Sequence, residues 1–176
     1  MRTTISQSFY SESLLGSRGM PIFILDNLRS AFNVGSVFRS AEAVHPAAIF
    51  LAGICCLPDN RKLKRTARGT QASVPWRYFQ RTSEAVEWAA AAGRTIVAVE
   101  NTQDAIPIWD ARFPSSPAFL MGNEAEGLDP VLTEAADVRV FFPQTGDRTC
   151  INVSSTVAMV AFELQRRRAG WQSGLG

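Results

Sequence analysis

The sequence predicts an α/β fold: a single domain built on a mostly parallel sheet with helices on both faces. Three observations carry this. The runs Pro21-Ile-Phe-Ile-Leu25, Ala47-Ala-Ile-Phe-Leu-Ala52 and Thr95-Ile-Val-Ala-Val-Glu100 are apolar without alternation, as in strands buried on both sides. Segments with apolar residues at helical spacing lie between such runs, and that alternation is the signature of βαβ units. The length of 176 residues suits one core, in which roughly two-thirds of the extended-chain surface is buried.

Taken in order, residues 1–19 are polar and weakly patterned and read as an N-terminal arm. Residues 21–25 form the first strand, and Asp26-Asn27-Leu28-Arg29-Ser30 is a turn. A helix over 33–44 places Val37, Phe38, Ala41 and Val44 on one face and Arg39 and Glu42 on the other. It stops at His45-Pro46, because the residue before proline resists the helical region. Residues 47–52 are the second strand, followed by a long basic loop. Residues 73–79 suit a short edge strand, where Pro75 is tolerated.

Thr82 or Ser83 then caps an alanine-rich helix over 84–92 that stops at Gly93. Residues 95–100 are a strand, and 101–116 a loop broken by Pro107 and Pro114. In 118–130 an apolar run breaks into a glycine-bounded turn. A helix over 128–136, a strand over 138–142 and a loop over 143–152 follow. The longest helix, 153–168, carries Val153, Val157, Val160, Ala161 and Leu164 as an apolar stripe, and 171–176 form a tail.

An apolar fraction of 46% and a charged fraction of 19% are those of a globular protein, with no run of about 18 apolar residues to span a membrane. The first twenty residues lack the apolar core of a secretory signal, so the cytoplasm is the default location. Cys55, Cys56 and Cys150 form neither a disulfide framework nor a metal-ligand spacing. The net charge of +2 is too small to announce a polyanionic partner, so distribution matters more than the total. Arg61, Lys62, Lys64, Arg65 and Arg68 form one basic cluster, and Arg166, Arg167 and Arg168 another. Each reads either as a solvated face or as a footprint for a phosphate backbone.

Three loops carry unusual polar residues, and each follows a predicted strand. Parallel strands would bring all three to one edge and converge Asn33, Arg39, Glu124 and Asn152. Each has a plainer alternative: turn chemistry for Asn33 and Gly35, a helix cap for Asn152, and an ion pair with Glu42 for Arg39. Placed near a helix start, Arg39 opposes the macrodipole by roughly 0.3 to 1 kcal/mol, which a bound phosphate would offset. The Gly122-x-Glu124-x-x-Gly127 loop is neither a dinucleotide fingerprint nor a phosphate loop, since Glu124 and Glu126 would repel phosphate. It would tolerate a neutral or cationic ligand.

Three segments together resemble the SpoU or TrmH type of RNA ribose 2′-O-methyltransferase, of the SPOUT class. Asn33-Val-Gly-Ser-Val-Phe-Arg39-Ser-Ala is similar to its first motif, and Leu120-Met-Gly-Asn-Glu124-Ala-Glu-Gly127-Leu to its second. Phe142-Pro-Gln-Thr-Gly-Asp-Arg-Thr-Cys-Ile-Asn152-Val-Ser is similar to its third. The likeness covers 21–168, and the domain it implies is 20–170.

The resemblance implies a deep trefoil knot in the C-terminal third. It implies S-adenosylmethionine held mainly by backbone groups around Val99, Glu100, Leu120, Met121, Gly122, Gly127, Phe142, Gln144, Cys150 and Ile151. It also implies a homodimer, with the last helix in the interface and Arg39 acting near the partner's cofactor. Arg39, Asn33, Glu124 and Asn152 are then the catalytic candidates, and the Arg61–Arg68 cluster an RNA footprint. Methyl transfer to a ribose hydroxyl needs alignment and proton removal but no metal. The target is structured RNA, with tRNA favoured over rRNA because no separate RNA-binding domain precedes Pro21. The chain departs from the family at Cys150, where serine is usual, and at Gln144, where methionine is usual. A catalytically inactive, knotted RNA-binding or assembly factor is the alternative reading.

Overall fold

The computed structural model describes residues 19–123, 125–146 and 150–169. The arm over 1–18 and the tail over 171–176 lie outside the described residues.

Seven strands form one sheet in the order β3-β2-β1-β6-β4-β7-β5, and every neighbouring pair is parallel. They are β1 (Ile22–Asp26), β2 (Ala48–Ala52), β3 (Trp76–Phe79), β4 (Thr95–Val99), β5 (Ile106–Pro107), β6 (Pro117–Met121) and β7 (Val138–Phe141). The helices are α1 (Ala31–Glu42), α2 (Arg61–Ala67), α3 (Thr70–Ser73), α4 (Thr82–Ala91), α5 (Pro130–Glu134) and α6 (Val153–Arg168).

The unbroken apolar runs are explained by the two cores. Along β1, Phe23 and Leu25 join Val37 and Phe38 of α1, Leu63 of α2 and Val157 and Val160 of α6 in one core. The alternate residues Ile22 and Ile24 join Phe50, Ala85 and Ala89 of α4, and Leu120, on the other face. A central strand with helices on both sides has no wet face, so both parities are apolar. Val37, Phe38, Ala41 and Val44 are all fully buried, as the helical spacing of the first motif required.

Several expectations are corrected. The basic loop after β2 contains a helix, α2, capped by Asn60, whose Oδ1 accepts from the backbone N–H groups of Lys62 and Leu63 at 2.9 and 3.3 Å. Charged helices of two turns leave little apolar periodicity to read. Helix α1 begins earlier than expected, at Ala31, with Ser30 as its cap. Arg39 therefore sits in the last turn, where the macrodipole favours a cation. Gly35 is not a turn residue. It lies inside α1, where a Cβ would meet the Leu63 carbonyl oxygen and Thr66 Cβ at 2.8 Å each, so it allows α2 to approach. Helix α4 begins at Thr82 with Arg81 before it, and the Glu84 carboxylate reaches back to the Arg81 backbone N–H at 3.4 Å and its Nε at 2.9 Å. The loop over 101–116 contains the edge strand β5.

The second basic cluster is tied to the protein itself, with Arg166 and Arg167 half-buried and Arg168 exposed. Glu163 is 8% exposed. Its carboxylate accepts from Arg166 Nε at 2.7 Å and Arg167 Nε at 2.6 Å. Arg167 also donates to the carbonyls of Ala111 and Ile108, at 2.5 and 2.7 Å, and lies 4.1 Å over the Phe113 ring. Arg168 donates to the carbonyls of Gly19 and Val44 at 2.7 and 3.2 Å. These arginines fasten the end of α6 to the β5–β6 loop and to the entry of β1. Helix α6 packs on α1, and it lies in the C-terminal third to which the resemblance assigns the knot. Among the described residues, no helix is long and apolar enough to cross a membrane.

The Arg166 hydrogen bond is the main cause holding the Glu163 carboxyl below its ordinary value of 4.5, with Arg167 adding to it and burial opposing. A depressed carboxyl stabilises the fold above its unfolded-state value and loses that contribution as pH falls through the folded one. Glu163→Gln should therefore lower stability at neutral pH by about 1 kcal/mol. It should also flatten the acid limb of the stability profile below about pH 4.5 in denaturant titrations at stepped pH.

Candidate active site and adjoining basic cleft

At the C-terminal end of β6 the chain turns back on itself through Gly122 and Gly127. A Cβ on Gly122 would lie 2.3 Å from the Gly127 carbonyl carbon, so a side chain there would displace the loop. Gly127 has φ +69°, in the left-handed region, and a Cβ on it would meet Glu100 Oε2 at 2.9 Å. The turn is closed by the Gly127 N–H donating to the Asn123 carbonyl at 2.9 Å. Asn123 Oδ1 accepts from the N–H groups of Ala125 and Glu126, both at 3.0 Å. Glu100, one residue beyond β4, ties this loop down: its carboxylate accepts from Leu128 N at 3.0 Å and Asn101 N at 3.0 Å. The chain thus gives its second-motif glycines a geometric reason. Glu124 lies outside the described residues.

Between this loop, the end of β7 and the start of α6 is a cavity of about 430 Å³. Of the residues that the resemblance assigns to the cofactor, Val99, Glu100, Met121, Gly122, Gly127, Phe142, Gln144, Cys150 and Ile151 line it. Leu120 does not. Its side chain is fully buried in the core on the opposite face, because it has the parity of Ile24 rather than of Leu25. Asn123 and Thr156 also line the cavity. Asn123 stood within a quoted motif, whereas Thr156 gave no signal beyond its place one turn into α6. Among the described lining residues there are two carboxylates, Glu100 and Glu126, and no cation. No described group of three His, Cys, Asp or Glu residues is placed to hold a metal ion.

The same sheet edge is braced from β1. Asp26 is buried and accepts from Thr82 Oγ1 and from Asn27 Nδ2 at 2.9 Å. Burial is the main cause raising its carboxyl, with Asp129 and Glu126 adding to it and the Thr82 hydrogen bond opposing. Asn27, at φ +53°, accepts from Ile54 N at 3.0 Å, and Cys55 Sγ donates to the Leu25 carbonyl at 3.3 Å. Burial pushes the Cys55 thiol up to about 11, which makes it a packed hydrophobe rather than a nucleophile.

Asn33 and Asn152, 119 positions apart, meet here. Asn152 Oδ1 accepts from Ser154 N at 3.0 Å and Ser154 Oγ at 2.6 Å, capping α6. That leaves Nδ2 to donate to Asn33 Oδ1 at 3.3 Å. The cap reading of Asn152 and its convergence with the first motif are therefore both correct.

Arg39 is not in this cavity. It is exposed and forms no ion pair with Glu42. It lines a separate cleft of about 910 Å³ between α1 and α2, together with Arg29, Phe32, Asn60, Lys62, Arg65 and Arg68. No carboxylate lines this cleft, and none of its five cations is ion-paired to a described residue. Arg61 and Lys64, three apart on α2, are exposed and outside it.

Comparison with known proteins follows from this geometry. Residues 20–162 match the model of the SpoU rRNA Methylase family. The 23S rRNA (uridine(2479)-2′-O)-methyltransferase of Streptomyces viridochromogenes is 27% identical over 149 residues, covering 82% of this chain and 52% of that protein. The tRNA (guanosine(18)-2′-O)-methyltransferase of Aquifex aeolicus is 23% identical, covering 84% and 69%. The crystal structure of an AdoMet-bound rRNA methyltransferase from Sinorhizobium meliloti superposes with a TM-score of 0.80 at 27% identity, covering 90% of this chain and 61% of that one. The chain spans about half the length of the Streptomyces relative. With the family model matched over most of its sequence, the chain belongs to the SpoU rRNA Methylase family.

Proposed function

We propose that the protein is an S-adenosylmethionine-dependent methyltransferase acting on a ribose 2′-hydroxyl of structured RNA, in the cytoplasm and as a homodimer. The observation that carries this is a single cavity enclosed by the second and third motifs, with the first motif hydrogen-bonded to its rim through Asn33 and Asn152. The lining suits the cofactor: a wall whose shape depends on glycines at 122 and 127, two carboxylates and no described cation fit a ligand with a sulfonium and no phosphate. Similar proteins carry names that divide between 23S rRNA and tRNA substrates. Within that range, a compact target such as tRNA is the finer reading.

Bound in this cavity, S-adenosylmethionine would supply an electrophilic methyl group on its sulfonium. Val99, Met121 and Phe142 would hold its adenosine on an apolar bed beside Gly122. Arg39, with a pKa above about 12, is a poor proton acceptor. Its role is to hold the adjacent phosphate and stabilise charge developing on the 2′-oxygen. In this reading the dimer brings Arg39 to the partner's cofactor, and the place of Arg39 outside the cavity of its own chain supports it. Asn33 positions the ribose or that arginine, Asn152 fixes the third-motif loop, and Glu124 is assigned beside them on the resemblance alone. Lys62, Arg65 and Arg68 carry flanking phosphates in the cleft, with Arg61 and Lys64 on the outer face of α2.

Three variants test this reading. Arg39→Ala should lower methyl transfer to RNA by on the order of a hundred-fold or more, while cofactor binding by calorimetry is retained; full activity would remove Arg39 from the chemistry. Wild-type RNA binding without any turnover would select the inactive assembly factor instead. Gly122→Ala should weaken cofactor binding by roughly ten-fold or more with circular dichroism unchanged, because the new methyl group displaces the 122–127 loop. The double variant Lys62→Ala, Arg65→Ala should flatten the dependence of RNA affinity on salt by about two phosphate contacts, and an unchanged slope would take α2 out of the footprint. Mapping ribose methylation in RNA from cells lacking the protein identifies the target.

A further inference from the structure

The α1–α2 cleft contains one residue that its charge does not explain. Phe32 is 69% exposed, on the second position of a well-capped helix, and lines the cleft beside Arg29, Arg39 and the cations of α2. Phe32 and Arg39 are seven residues apart on α1, so they share a face, about two turns from each other along the axis. An aromatic ring left in water among cations costs solvation and serves no core here, since its neighbours Val34, Val37 and Phe38 fill the core without it.

Resting on the RNA reading above, we infer that Phe32 is a stacking platform for an unpaired nucleobase, with the cations of the cleft holding the phosphates on either side. Charge complementarity commits the cleft to a polyanion: five cations and no carboxylate line it, in a chain whose net charge is only +2. The ring commits it further. A base inside a duplex has both faces covered by its neighbours, whereas a base in a loop or single strand offers a free face to an aromatic side chain. The cleft therefore takes a looped or single-stranded segment rather than a helix, and Phe32 is a positioning residue that sets which nucleotide lies beside Arg39. Phe32 has the three properties such a platform needs: exposure, cationic surroundings and a rigid mount on α1.

The test is equilibrium binding of a roughly ten-nucleotide single-stranded RNA carrying one 2-aminopurine, beside the same strand in a duplex, over a salt series. Wild type should bind the single strand with a change in 2-aminopurine emission. Phe32→Ala should bind it about ten-fold more weakly with the salt slope unchanged, because a stacking contact and no phosphate contact is lost. Phe32→Trp and Phe32→Tyr should restore the affinity, and affinity for the duplex should not move. Cofactor binding by Phe32→Ala, measured by calorimetry, reports that the fold is intact. Unchanged single-strand affinity in Phe32→Ala, or an equal loss for duplex and single strand, overturns the inference while the proposed function stands. A changed assembly state of Phe32→Ala in sedimentation overturns it too, and gives the ring to a second copy of the chain. Failure of wild type to bind the single strand overturns the inference as well, whereas the proposed function is overturned by absence of binding and methyl transfer with structured RNA.

Discussion

Seven parallel strands leave the carbonyl ends of β1, β4, β6 and β7 on one edge of the sheet, and the peptide groups there have no further strand to pair with. The loops that leave this edge must satisfy one another. Glu100 does most of that for the β6 loop, since one carboxylate takes the N–H groups of Leu128 and Asn101 and sits against Gly127. Asn123 closes the same turn from inside, and Asn27 and Cys55 perform the equivalent task between β1 and β2. A cradle made this way is rigid because its polar groups are spent on holding it. Gly122 and Gly127 are then required by contact distance: any side chain would occupy the space in which the loop closes on itself.

The class of fold was legible because burial on both sheet faces removes alternation, and that absence is itself a pattern in 21–25, 47–52 and 95–100. The positions of Val37, Phe38, Ala41 and Val44 followed from helical spacing and are fully buried. What sequence patterning missed was polar and short. Helix α2 is two turns of mostly charged residues, so it has almost no apolar period, and β5 is two residues long. The start of α1 was placed two residues late, which moved Arg39 from the last turn toward the first and reversed the sign of its interaction with the helix dipole. Arg166 to Arg168 looked like surface because composition cannot show carbonyl acceptors contributed by 108–111, 44 and 19.

The candidate site was legible in a different way. The glycines, Asn33 and Asn152 were marked by residue type at strand ends, and their convergence needs only parallel strands. Leu120 and Met121 are neighbours in the motif, but a strand sends consecutive side chains to opposite faces, so the Met121 side chain reaches the cavity and the Leu120 side chain the far core. The division of Arg39 from the cavity could not be read at all, since it depends on which face of α1 meets α2 and which meets α6.

That division has a physical logic. A cavity lined by carboxylates and a cleft lined by cations would neutralise each other if they merged, and neither would then favour its own ligand. Helix α1 keeps them apart while coupling them. Asn33 near one end touches the cap of α6 at the cavity rim, and Arg39, about 9 Å further along the axis, faces the cleft. Gly35 lies between the two, where the lack of a side chain brings α2 against the helix and so brings Lys62 and Arg65 to the cleft wall. A single rigid rod thus fixes the spacing between Asn33 at the cavity rim and Arg39 in the cleft. Flexibility in α1 would blur both sites together, which is why its buried face is packed without exposure from Val34 to Ala41 and its first turn is capped by Ser30.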